Sequence, residues 1–138
     1  MFNKLLQQIR ACTVCESFLP FGANPIIQAH PKSKIIIIGQ APGIKAHQSN
    51  IPWNDPSGDQ LRKWLNVTKE QFYNPKFFAL VPIGFCYPGS NISTGRSNTA
   101  KQIKYSVINI TLKWYQDIFS FRRSIFSNST GMSIHCFL

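Results

Sequence analysis

Three groups of residues have the types and spacing to do chemistry: Gly39-Gln40-Ala41-Pro42-Gly43, Ile51-Pro52-Trp53-Asn54-Asp55-Pro56, and the pair Cys12-x-x-Cys15 with Cys86 downstream. The first follows a run of four isoleucines, Ile35 to Ile38. Such a run suits a strand buried on both faces, as in a parallel sheet covered by helices. Pro42 has no backbone N–H for a ladder and Gly43 can take φ > 0, so the strand stops abruptly. In open α/β sheets the loop at the carboxyl end of such a strand is the usual ligand site. Gln40 supplies an amide that donates and accepts. Trp53 offers a flat apolar face, and Asn54 and Asp55 offer hydrogen bonds or a negative charge. Lys32, Lys45, Arg62 and Lys63 lie near in sequence and can hold phosphates. A planar heterocycle, stacked on Trp53 and read along its edge by amides, fits such a slot. Each residue also has a plainer use. Gly39–Gly43 serves as a tight turn, Trp53 as packing under a helix, and Asp55 as a local cap.

The cysteines are open to two readings. A C-x-x-C pair can put two thiolates on one metal, and it can equally be two half-buried thiols.

The elements that must position these groups follow from periodicity. Phe2, Leu5, Leu6 and Ile9 mark one face of a short helix over 2–10, ending at the cysteine pair. Residues 19–33, with Pro20, Gly22, Pro25 and Pro31, read as a loop with a short extended piece at Ile26-Ile27. Ser57-Gly58-Asp59-Gln60 has the pattern of a capping box and predicts a helix through about Asn66. That helix is expected to bury Leu61, Trp64 and Leu65 and to expose Arg62 and Lys63. Thr68-Lys69-Glu70-Gln71 is a second capping box and predicts a short helix ending before Pro75. Phe77 to Gly84 reads as a buried strand with Pro82 at its carboxyl end, where a missing N–H is tolerated. Strand, helices, strand is a βαβ unit, and it puts the loop Phe85–Gly89 on the same edge as Gly39–Gly43.

After Gly89 the composition changes. Residues 90–138 hold nine serines against four in the preceding 89, and one acid, Asp117. Segments 107–112 and 113–123 read as a strand and an aromatic-rich stretch. The terminus Met-Ser-Ile-His-Cys-Phe-Leu resembles neither a capped helix nor a solvated tail.

Bulk properties bound the rest. At 138 residues one domain, 1–138, is expected. Fifteen Lys+Arg against five Asp+Glu give a net charge of +10, which predicts attraction to polyanions, nucleic acid before membrane. The charges are scattered and form no run, so a merely basic chain is the plainer alternative. Residues 1–20 lack the apolar core of a signal peptide, and nothing reaches the ~18 apolar residues of a membrane span. A cytoplasmic monomer with reduced thiols or metal-ligating cysteines is the expectation.

Gly39-Gln-Ala-Pro-Gly43 after an isoleucine strand, followed by Ile51-Pro-Trp-Asn-Asp-Pro-Ser-Gly58, resembles the uracil-DNA glycosylase superfamily. The likeness is closest to its iron–sulfur branch, whose first motif is Gly-Glu-Ala-Pro-Gly, and to bacterial relatives with Gln in the second place. It covers about residues 4–89, and the order of cysteine pair, loop motif and Pro-Trp segment is more specific than the motif alone. The resemblance implies an α/β fold, a three-layer α/β/α sandwich with a central parallel sheet, incomplete here at the carboxyl end. It implies hydrolysis of the N-glycosidic bond of uracil in DNA, with the base flipped into a pocket. Gln40 and Ala41 would carry the water-placing and pocket-floor positions. Gly39, Pro42, Gly43, Trp53, Asn54 and Asp55 would bind substrate, Trp53 as the aromatic that stacks on uracil. Cys12, Cys15 and Cys86 would be ligands of a 4Fe-4S cluster. No carboxylate stands at Ala41, so the reaction would lean on stabilising the departing uracil anion.

The sequence departs from the family pattern in several places. No His-Pro-Ser segment is present, since His30, His47 and His135 are the only histidines. Pro82 and Ile83 stand where an asparagine that reads uracil is expected. No cysteine follows Cys86 until Cys136. One event would account for these together: a shift of reading frame after Gly89 that leaves 90–138 as an atypical tail. Two other readings stay open. One is a non-catalytic basic module that binds nucleic acid. The other is a fragment whose open strand edges lead it to aggregate.

Overall fold

The computed structural model describes residues 2–90, together with the backbone of residues 134–136. The segments 107–112 and 113–123 lie outside the described residues.

The element order is α1 (Phe2–Arg10), a 3-10 turn (Glu16–Phe18), β1 (Ile35–Gly39), α2 (Ile44–Ser49), α3 (Pro56–Leu65), α4 (Lys69–Phe72), β2 (Phe78–Pro82) and β3 (Ile134–Cys136). The strands form a parallel sheet in the order β2-β1-β3, with β1 in the centre. The fold is α/β.

Alternate residues of β1 and β2 serve opposite faces, as the two-residue period of a strand requires. Ile36, Ala79 and Val81 join Phe2, Leu6 and Ile9 of α1, with Ile27 and Phe85, in one buried cluster. Ile37, Phe78 and Leu80 join Leu61 of α3 and Phe72 of α4 in the other. The isoleucine run is therefore buried from both sides, as its composition predicts. Pro82 is the last residue of β2, in register with Gly39, where its missing N–H breaks no ladder. The expected extended piece near Ile26-Ile27 is present as a single antiparallel bridge between Gln28 and Leu80. Gln28 also donates its side-chain amide to the carbonyls of Phe72 and Phe78 at 3.3 and 2.9 Å, tying this segment to α4 and β2.

The capping box at Thr68 forms as its pattern predicts. The Gln71 N–H donates to Thr68 Oγ1 at 3.2 Å, and the Thr68 N–H donates to Gln71 Oε1 at 2.9 Å. The box expected at Ser57 does not form. Helix α3 begins two residues earlier, with Asp55 as N-cap and Pro56 in its first turn. Asp55 Oδ1 accepts from the Gly58 N–H at 2.9 Å and from the Ser57 hydroxyl at 2.5 Å. The carboxylate takes the cap because Pro56, with its φ fixed near the helical value, suits the first helical position.

The buried face of α3 also differs from expectation. Arg62 is buried (7% exposed), whereas Trp64 is 69% exposed. The stripe Gly58, Leu61, Arg62, Leu65 follows the i, i+3, i+4, i+7 spacing and faces the sheet. Ser57, Gln60 and Trp64 form the neighbouring stripe, turned toward the carboxyl edge of the strands. Among the described residues no helix is long and apolar enough to cross a membrane.

Candidate nucleobase pocket at the carboxyl edge

Parallel pairing of β1 and β2 puts the loops that follow them on one edge. The Ile83 and Gly84 N–H groups donate to the carbonyls of Gly39 and Gln40 at 2.8 and 2.9 Å, so the two loops are lashed together. Beside them opens a cavity of about 360 Å³, a size ordinary for small-ligand sites. Gly39, Gln40, Ala41, Pro42 and Gly43 line it together with Trp53 and Asp55. Seven of the eight residues singled out in these two segments thus share one cavity; Asn54 does not line it. Pro52 of the same segment lines it too, and the sequence reading missed Ser57, Gln60, Leu61, Trp64 and Pro82 as lining residues. The stripe Ser57, Gln60, Trp64 was legible as an i, i+3, i+7 series once α3 was placed.

Trp53 is the most constrained residue of the wall. Its φ is +58°, a left-handed conformation that a bulky side chain adopts at a cost of about 1–3 kcal/mol. Three features hold it there. The Trp53 carbonyl accepts from Arg62 Nη1 at 3.3 Å and from the Tyr73 hydroxyl at 3.2 Å. Arg62 is itself fixed by Asp59 and by a 3.2 Å bond to the Tyr73 oxygen, and it lies against the rings of Phe72 and Tyr73. Gly58 lets the Trp53 carbonyl approach: a Cβ there would stand 1.8 Å from that oxygen. Gly39 does the same for the indole, since a Cβ at Gly39 would stand 3.0 Å from Trp53 Cζ2. The ring therefore packs closely against the end of β1 at the cavity wall. Burial raises the Tyr73 phenol above its ordinary value, and the Arg62 charge opposes that shift.

Two expectations about this edge need correction. Arg62 is not free to hold a phosphate, because its guanidinium is occupied by the Trp53 carbonyl, Tyr73 and Asp59. Lys45 and Lys63 are exposed and keep that capacity, whereas Lys32 precedes β1 and so lies at the opposite, amino edge of the strands. The loop Phe85–Gly89 does not reach the cavity either. After Gly84 the chain turns to pair with the segment before β1, the Ile26 N–H donating to the Phe85 carbonyl at 2.8 Å. Tyr87 is buried there, its ring 5.7 Å from that of Phe21 and 5.8 Å from that of His47.

Cys12 and Cys15 are half-buried and Cys86 is buried; all three are free thiols. Burial pushes the Cys86 thiol up to about 11, a backbone hydrogen bond from Asn24 pulls it back, and charge on Cys15 and Cys12 raises it further. Among the described residues no group of three or more His, Cys, Asp or Glu side chains is disposed to hold a metal ion. The side chain of Cys136 lies outside the described residues. No step of the reaction is assigned to a cluster on these thiols.

A family model for the uracil DNA glycosylase superfamily matches residues 27–118 of this sequence. The chain belongs to that superfamily. The match begins after Cys12 and Cys15 and runs past Gly89, so it takes in the pocket loop, Trp53 and α3 but not the cysteine pair. The superfamily acts on DNA, and a net charge of +10 is compatible with a polyanionic ligand.

Proposed function

We propose that the cavity beside β1 receives a uracil base flipped out of DNA, and that the chain hydrolyses its N-glycosidic bond. The observation that supports this reading is the meeting of Gly39–Gly43 and Trp53 in one cavity at the carboxyl edge of the sheet. Trp53 stacks on the pyrimidine. Asp55 stands beside Gly43 and, as helix cap, is fixed in place. Gln40, exposed at the mouth, holds the water that attacks C1′ of the sugar. Water adds its oxygen to C1′, the C1′–N1 bond breaks with its electron pair leaving on uracil, and the water proton passes to solvent. No carboxylate stands at Ala41, so the rate rests on stabilising the uracil anion and a cation-like sugar rather than on a strong base.

The absence of a His-Pro-Ser segment from the sequence favours a second reading, in which the pocket holds the base and does not cleave the bond. One assay separates the two. The full chain is incubated with a single-stranded oligonucleotide carrying one uracil, and free uracil is measured by mass spectrometry. Release of uracil, and none of thymine from the matched control, supports the hydrolase. Binding of the uracil strand in preference to the thymine strand with no release supports the non-catalytic pocket. Equal binding of both strands with no release removes both readings.

An iron–sulfur cluster on Cys12, Cys15 and Cys86 is a separate proposal. A brown protein after anaerobic reconstitution with iron and sulfide supports it, and a colourless one removes it.

A further inference from the structure

The cavity is lined by two tryptophans with opposite surroundings. Trp53 is half-buried and packed on Gly39. Trp64 sits at the same cavity on the outer stripe of α3 and is 69% exposed. A single exposed apolar side chain on a protein surface is common and needs no explanation. Trp64 differs in three respects. It lines the pocket, it shares its helix stripe with Ser57 and Gln60, which line it too, and the exposed Lys63 adjoins it in sequence. Its indole makes no aromatic or cation–π contact among those seen in the described residues.

Building on the nucleobase reading of the pocket, we propose that Trp64 is a stacking platform for the nucleobase next to the one in the pocket. The occupant is an unpaired base of a DNA strand. A neighbouring base inside a duplex stays paired and stacked on its other side, so it cannot swing out to lie on an exposed indole. A base on a single strand has a free face, and stacking on an aromatic side chain is tolerant of which base it is. The two indoles then have separate roles. Trp53 meets the flipped base, Trp64 meets its neighbour, and Lys63 adjoins the phosphate side. The site is thereby specified for single-stranded or locally unpaired DNA.

The test compares the full-length wild type with Trp64→Ala and Trp64→Phe. Affinity is read by fluorescence anisotropy for a labelled single strand carrying one uracil and for the same strand in a U·A duplex. Because Trp64 is mostly exposed, the variants should keep the thermal transition of the wild type, and that is measured alongside. The expected result is that Trp64→Ala weakens single-strand binding on the order of tenfold, leaves duplex binding within about twofold, and that Trp64→Phe restores most of the loss. Single-strand affinity of Trp64→Ala within twofold of wild type overturns the proposal. An equal loss on both forms of DNA overturns it too, since it would show a general contact rather than a stacked unpaired base. The pocket reading is judged separately, from Trp53→Ala and the preference for uracil over thymine in the same strands. That preference can survive when the Trp64 proposal fails.

Discussion

On one face of the sheet Ile36, Ala79 and Val81 meet Phe2, Leu6 and Ile9, and the cluster is apolar throughout. On the other face Ile37, Phe78 and Leu80 meet Leu61 and Phe72, and beside this core lies a polar knot of Arg62, Tyr73, Asp59 and the Trp53 carbonyl. The same two strands supply both faces through their alternate residues. The first face contributes burial alone. The second devotes part of its interior to holding a single backbone carbonyl, and through it the orientation of one indole at the pocket. Buried charge kept for such a purpose is seldom the most stable solution, since an apolar replacement of similar volume is often no worse for stability. The α3 side is thus the one whose interior polar groups hold a residue of the cavity wall.

The comparison can be broken by perturbing each face in turn. Ile9→Ala, at a fully buried position of the first face, should lower stability by about 2–5 kcal/mol. DNA affinity of the protein that remains folded should stay within about twofold, as read by denaturant unfolding and anisotropy on the same sample. A tenfold loss of affinity would show that the faces are not independent. Gly58→Ala, on the second face, drives a Cβ into the Trp53 carbonyl. It should cost about 1–3 kcal/mol even though alanine is the better helix former. Unlike Ile9→Ala, it should also abolish discrimination between uracil and thymine strands.

Smaller changes sharpen the contrast. Tyr73→Phe removes one of the two donors to the Trp53 carbonyl and should cost about 1 kcal/mol, with Arg62 still holding the carbonyl. The smallest effect is one of pH. Burial raises the Tyr73 phenol in the folded chain, so the fold favours its protonated form. The stability this contributes is complete below the unfolded value, near 10 for tyrosine, and is lost as pH rises through the higher folded value. Wild type should therefore lose stability more steeply than Tyr73→Phe above about pH 10, measured as the difference in unfolding midpoint.

Much of this was legible in the sequence, and most of the exceptions turn on contacts between distant residues. Helix α1 follows the spacing of Phe2, Leu6 and Ile9, β1 follows its isoleucines, and β2 ends at the proline that cannot continue it. These are local signals. The loop Gly39–Gly43 was legible because it follows a strand of a parallel sheet at its carboxyl end, and Trp53 because it stands in a rigid Pro-Trp segment just before a helix. What was missed on the buried face of α3 goes with a long-range fact, the left-handed backbone at Trp53. The carbonyl of Trp53 meets the buried Arg62, while Trp64 stands in solvent. An arginine beside a tryptophan reads as the exposed member of the pair. Only the stripe Gly58, Leu61, Leu65, with position 62 on it, marked Arg62 as buried. The direction of the Phe85–Gly89 loop was likewise set by a distant partner, Ile26.

The central claim is that the second face exists to present Trp53 to a uracil base. The direct test is the single-turnover rate of uracil release from a single-stranded oligonucleotide for wild type, Trp53→Phe and Trp53→Ala. The account predicts measurable release by the wild type, partial retention with phenylalanine, and loss by at least about a hundredfold with alanine. Equal rates for wild type and Trp53→Ala would contradict it.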